Sequence, residues 1–77
     1  MNGYLDVVLR KAQEVFTKDD INPETRFKED LAAKSINIAQ LMNVLEDEYD
    51  VELPYMDFRR CETIAEVAAF IKKLDEE

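Results

Sequence analysis

Asp30-Leu31-Ala32-Ala33-Lys34-Ser35-Ile36-Asn37 is the stretch on which the reading of this chain turns. Before it lies a polar segment, residues 17–34, in which the large apolar residues are sparse: Ile21, Phe27 and Leu31. After it, Ile38, Leu41, Met42, Leu45 and Tyr49 recur at helical spacing, the signature of one apolar face. The pattern predicts a helix over 36–49, with Ser35 as its N-cap. A serine there accepts a hydrogen bond from a backbone N–H of the first turn, worth about 1 kcal/mol. Glu46-Asp47-Glu48 crowds acid onto the last turn, where it opposes the helix dipole. Packing must outweigh that cost, or the acid serves a partner.

Working outward, Leu5, Val8, Leu9, Ala12, Val15 and Phe16 give one stripe over residues 4–16, a first helix. The 17–34 connector contains Asn22-Pro23, a turn signal, and the proline keeps Asn22 out of helical dihedrals. A loop this long is unusual in a compact domain and often functional. Ile21, Phe27 and Leu31 are expected to pin it to the core. Val51-Glu52-Leu53-Pro54 reads as extended and ends the second helix. Tyr55 to Arg60 has room for only one or two turns, a short third helix. Thr63 followed by Glu66 is a capping box. Ile64, Val67, Ala68, Ile71 and Leu74 then form the stripe of a fourth helix. Lys72 and Lys73 suit its C-terminal end, whereas Asp75-Glu76-Glu77 does not and is expected to fray. Three amphipathic helices, one short helix and no strand pattern predict an all-α bundle, one domain over residues 1–77.

The chain has 77 residues, 47% of them hydrophobic, enough for a packed core. Its net charge is −8, and residues 40–77 carry net −7 of it. A nucleic-acid ligand requires a cationic footprint, so none is expected. Anionic lipid is repelled as well. Such a protein suits fast, salt-sensitive, reversible encounters with basic patches on partner proteins. Cys61 is the sole cysteine, so no disulfide can form within the chain, consistent with a reducing compartment. It is expected to point inward as a small hydrophobe. No basic segment followed by an apolar run opens the sequence, and the longest apolar run is Val67 to Ile71. Neither a signal peptide nor membrane insertion is expected, and the cytoplasm is the default location.

Little catalysis is open to these residues. Ser35 as a nucleophile needs an oriented base, and the chain has no histidine. Lys34 is adjacent in sequence and does not face it on a helix. Zinc lacks Cys and His ligands. The one glycine, Gly3, rules out an EF-hand loop or a glycine-rich phosphate loop. The acids near Glu46 and Asp50 offer a divalent cation a weak site at best. No catalytic residue and no metal ligand is assigned. Presentation remains: a phosphate on Ser35 would meet free N–H groups at the positive end of a helix, with Lys34 beside it. From the residues alone, Ser35 is most simply a cap.

From Phe27 to Ile71 the chain resembles an acyl carrier protein. Such proteins carry a pattern close to F-x-E-D-L-G-x-D-S-L, an acidic helix running into E-E-x-F-x-x-x-I-P, and a closing T-V-x-x-x-x-x-x-I. Here the text reads Phe27-Lys28-Glu29-Asp30-Leu31-Ala32-Ala33-Lys34-Ser35-Ile36, then Leu45-Glu46-Asp47-Glu48-Tyr49-Asp50-Val51-Glu52-Leu53-Pro54, then Thr63 to Ile71. The register of the serine motif with its flanking segments gives the resemblance its weight. It implies a four-helix bundle of acyl-carrier type, with three longer helices, a short third one and a long loop between helices I and II. It implies a 4′-phosphopantetheine arm on Ser35, delivered from coenzyme A by a phosphopantetheinyl transferase and loaded and used by acyl-processing enzymes. Such a monomeric carrier catalyses nothing itself.

The departures from the pattern are informative. Lys34 stands where the family has aspartate, and Ala32 where it has glycine. Alanine takes positive φ at a cost, so a different loop backbone is expected. Acidic positions of helix II read Asn37 and Gln40, and the usually acidic helix III reads Tyr55-Met56-Asp57-Phe58-Arg59-Arg60. Acid persists at Glu46 and Asp47, while Ile36 and Ile38 add apolar surface. These nine residues (Lys34, Ile36, Asn37, Ile38, Gln40, Glu46, Asp47, Arg59 and Arg60) are the expected partner-recognition surface. They suggest a carrier for a specialised fatty-acid, lipid or polyketide-type pathway. The alternative is a carrier-like module that has lost the arm and serves protein interaction or regulation. Val8, Leu41, Met42, Leu45, Ile64 and Val67 are the residues that would part to shelter an acyl chain, and form a filled core without one.

Overall fold

The computed structural model describes residues 3–76. Its elements are α1 (Gly3–Phe16), α2 (Ser35–Tyr49), α3 (Tyr55–Arg59) and α4 (Ile64–Glu76). Helix α1 packs against α4 and α2, and α3 closes on α2. Among the described residues there is no strand, and the one β-bridge joins Arg26 to Thr63. The expected all-α architecture of three longer helices, one short helix and a long first loop is the one observed.

The apolar stripes meet at the centre. Val8, Leu41, Leu45, Ile64, Val67 and Ile71 are fully buried. Each aliphatic side chain buried in this way stabilises the fold by about 1.5–3 kcal/mol. Met42 is only half-buried, at the edge of this cluster. Two further core residues, Leu53 and Phe58, come from the segments without helical periodicity. Phe58 is 1% exposed, which explains why a five-residue helix is stable at all: its anchor is tertiary, since isolated helices this short do not form in water.

The long connector is pinned as expected by Ile21 and Phe27, both buried, with Leu31 half-buried. It is also stitched by its backbone. Phe27 donates its N–H to the Glu62 carbonyl at 3.0 Å, and Ile64 donates to the Thr25 carbonyl at 3.2 Å. Thr25 is itself buried, and its hydroxyl accepts the Asn22 N–H at 2.9 Å. The Thr63 half of the expected capping box of α4 is made, while the Glu66 side chain reaches one residue further back, to Glu62. Glu66 donates its N–H to Thr63 Oγ1 at 3.2 Å, and Glu62 donates its N–H to Glu66 Oε1 at 2.8 Å.

Three expectations are corrected. Lys34, with φ −100° and ψ 169°, is the N-cap of α2, and Ser35 is the first helical residue. The Lys34 carbonyl accepts the Ile38 N–H at 3.1 Å, which is what an N-cap carbonyl does. Ala32 adopts φ 50°, so the loop keeps a left-handed turn without glycine instead of rerouting. The Ala33 N–H, bonded to the Phe27 carbonyl at 2.8 Å, holds the chain there. Finally, Asp75 and Glu76 lie within α4 rather than frayed from it. The Tyr4 hydroxyl donates to Asp75 Oδ2 at 2.6 Å and ties the end of α4 to the start of α1. Glu77, the last of the residues expected to fray, lies outside the described residues.

Candidate functional site

Ser35 opens α2 on the exposed surface, and among the described residues its hydroxyl has no hydrogen-bond partner. The local reason is Asn37. Its side-chain Oδ1 accepts the Lys34 backbone N–H at 3.0 Å, so the helix start is fixed from the third helical position. That frees the serine from capping. The backbone N–H groups of Ile36 and Asn37 lack intrahelical acceptors by position and add the positive end of the helix dipole.

Beside Ser35 lies a groove of about 540 Å³, between the end of the long connector, the start of α2 and the short helix α3. Its lining brings together four of the residues singled out in the sequence beside Ser35: Lys34, Ile38, Arg59 and Arg60. Phe27, Ala33, Tyr55 and Met56 add apolar surface. Met56 is 59% exposed, an unusual state for a large apolar side chain on the surface of a small protein. Cys61 sits in the same lining, half-buried, its thiol directed to the Asp57 carbonyl at 3.9 Å. Desolvation, with Glu66 and Asp57 nearby, pushes that thiol up to about 11. It is a packing residue and not an activated nucleophile.

The charge around the groove is positive although the chain as a whole is not. Arg26, Lys28, Lys34, Arg59 and Arg60 line it against Glu29 and Glu62. Arg26 is already engaged, with Glu29 at 2.7 Å and Asp30 at 3.4 Å. Those contacts hold the Asp30 carboxyl below the usual carboxylate range, chiefly through the Arg26 backbone N–H and then its side chain. Lys28, Lys34, Arg59 and Arg60 are exposed and, among the described residues, have no ion-pair partner.

The other singled-out residues lie elsewhere. Ile36 is 64% exposed, while Asn37 is occupied with the cap. Gln40 is exposed on α2 and outside the groove lining. Glu46 and Asp47 are roughly three turns along α2 from Ser35, about 16 Å by helical rise. Glu46 is half-buried, and its Oε2 accepts the Leu53 N–H at 2.8 Å, fastening the extended segment to α2. Sequence reasoning passed over Arg26, Lys28 and Met56 as groove residues. The pairing of Arg26 with Thr63, which brings the connector beside α3, has no local signature.

Residues 6–71 match the family model described as the phosphopantetheine attachment site. An acyl carrier protein of Chlorobium phaeobacteroides is 38% identical over 56 residues, 73% of this chain and 72% of that protein. One of Borreliella burgdorferi is 39% identical over 56 residues, 73% and 70% of the two chains, and one of Bdellovibrio bacteriovorus 34% over 55 residues, 71% and 70%. A family match spanning almost the whole bundle, with relatives at this identity, shows that the chain belongs to the acyl carrier protein family, whose members hold acyl groups on a covalently attached 4′-phosphopantetheine and carry them rather than transform them.

Proposed function

We infer that Ser35 is the attachment point of the arm, and that this carrier serves a dedicated acyl pathway through its own set of enzymes. The observation that carries the reading is the state of the Ser35 hydroxyl: exposed, with no hydrogen-bond partner among the described residues, and one position inside the helix rather than at its cap. In the loading step the Ser35 oxygen attacks the pantetheine-bearing phosphorus of coenzyme A. A serine O–P bond forms, the pyrophosphate P–O bond breaks, and adenosine bisphosphate leaves with the electron pair. A phosphopantetheinyl transferase takes the serine proton. The resulting phosphodiester anion sits at the N-terminus of α2, where backbone N–H groups and the Lys34 ammonium favour it.

The specialised assignment rests on Lys34, Arg59 and Arg60. They place positive charge around the serine, where a partner with a basic docking face meets repulsion. The cognate transferase and acyl-processing enzymes are then ones whose contact surface near the serine is neutral or acidic. The unit is a single-domain monomer over residues 1–77 working in the cytoplasm. Among the described residues no helix is long and apolar enough to cross a membrane.

Incubation with a fluorescent coenzyme A and a panel of transferases tests both parts. The expected result is labelling by at least one transferase, with Lys34→Asp speeding labelling by those with basic docking faces. No labelling by any transferase overturns the attachment. Equal rates and equal salt dependence for parent and Lys34→Asp overturn the specialised reading.

A further inference from the structure

The groove beside Ser35 combines two properties that the carrier role does not require together. Part of its lining is apolar, from Phe27, Ile38, Tyr55 and Met56. The same lining holds Lys28, Lys34, Arg59 and Arg60, exposed and without ion-pair partners among the described residues, in a chain of net charge −8. The chain has acids to spare, yet only Glu29 and Glu62 line this groove, and Glu29 is engaged by Arg26. Lys34 also stands at the N-cap of α2, where the helix dipole disfavours a cation. A lining that joins apolar and cationic side chains matches one kind of cargo: an aliphatic chain that ends in a carboxylate.

We propose that the groove is a subsite for the tethered acyl group, and that it selects an acyl chain ending in a free carboxylate, held by the guanidinium groups of Arg59 and Arg60, both in the groove lining. This rests on the arm being at Ser35. Guanidinium groups suit the task, because their planar donors meet a carboxylate with two parallel bonds. The groove volume of about 540 Å³ falls within the range of small-ligand clefts, so part of the arm and its cargo can lie in it together. Each exposed ion pair is weak in isolation. Tethering offsets that weakness: a short flexible linker holds the carboxylate at an effective concentration of about millimolar, so an equally weak local affinity fills the site. Lys28 and Lys34 contribute the long-range field that draws the anion back to the groove.

The test compares two arms that differ only in the terminal group, carboxylate against methyl. The chain is loaded from glutaryl-coenzyme A or valeryl-coenzyme A by a broad-specificity transferase, and intact mass verifies one arm per chain. The Nε–H resonances of Arg59 and Arg60 and the Met56 methyl are then read by NMR. The glutaryl arm is expected to shift both arginine resonances relative to the valeryl arm. The difference should vanish at about 1 M salt, where screening acts within about 3 Å. It should also vanish at the Met56 methyl in Arg59→Gln/Arg60→Gln, loaded to one arm per chain as verified by intact mass. Failure of both donors to load with every transferase of the panel overturns the Ser35 assignment and this proposal with it. Successful loading with identical spectra for the two arms overturns this proposal alone and assigns the cations to a partner protein. A glutaryl-specific shift of Met56 that survives in the double variant also overturns it.

Discussion

The Asn37 side-chain oxygen accepts the backbone N–H of Lys34 at 3.0 Å, and this single bond sets where α2 begins. It also separates the two tasks that the sequence assigns to one residue. Asn37 caps, and Ser35 is left exposed. Asn37→Ala is expected to lower stability by about 1 kcal/mol, the usual cost of losing a cap. Ser35→Ala should change it by less than about 0.5 kcal/mol, as at an ordinary surface site. Urea unfolding of the two variants decides; equal losses would return the capping role to the serine.

Ala32 holds φ 50°, a conformation that costs a residue with a Cβ atom about 1–2 kcal/mol. Replacing it by glycine relieves that strain at some cost in chain entropy. Ala32→Gly is therefore expected to raise stability by about 1 kcal/mol, whereas Ala33→Gly, at a residue without positive φ, should lower it. A loss in both variants, measured by thermal unfolding, would contradict the left-handed turn.

The Tyr49 ring stacks on Tyr4 with centroids 5.4 Å apart, while its buried hydroxyl lacks a partner among the described residues. An orphan buried hydroxyl costs free energy without return. Tyr49→Phe should leave stability unchanged or raise it by up to about 1 kcal/mol. A clear fall would mean that the hydroxyl has a partner.

Tyr4 and Asp75 join the two ends of the described chain, and the phenol is pushed up to about 12, first by its hydrogen bond to Asp75 and then by desolvation. Because the folded-state value lies above the usual 10, the contribution of this contact is complete below pH 10 and is lost as pH rises through 12. Alkaline titration followed by phenolate absorbance should show one tyrosine ionising late. Asp75→Asn should bring it back toward the ordinary range. No late component in the parent would remove the contact.

Most of the fold was legible because each long helix carries its stripe in full: Val8 and Ala12, Leu41 and Leu45, Ile64, Val67 and Ile71 all face inward. The Thr63 cap on Glu66 could be read for the same reason, since its spacing is its mechanism, although the Glu66 side chain bonds Glu62 instead of closing the box on Thr63. The start of α2 was misplaced by one residue, because a serine at a helical boundary is the commoner cap and Asn37 does its work from inside the helix. The groove was legible only in part, through Lys34, Ile38, Arg59 and Arg60. Arg26 and Lys28 reach it through a connector whose path is set by backbone bonds to Glu62 and Ile64, and such long-range pairings leave no periodic trace. Phe58, buried on a helix too short to show a stripe, escaped for a related reason.

The central claim is that the arm is carried by Ser35. Fragmentation mass spectrometry of the transferase-treated chain locates the modification directly. The account predicts that the added mass falls on the fragment containing Ser35 and is absent from Ser35→Ala, with the fold of that variant intact. Added mass on any other fragment, or a Ser35→Ala chain that is still modified, would contradict it.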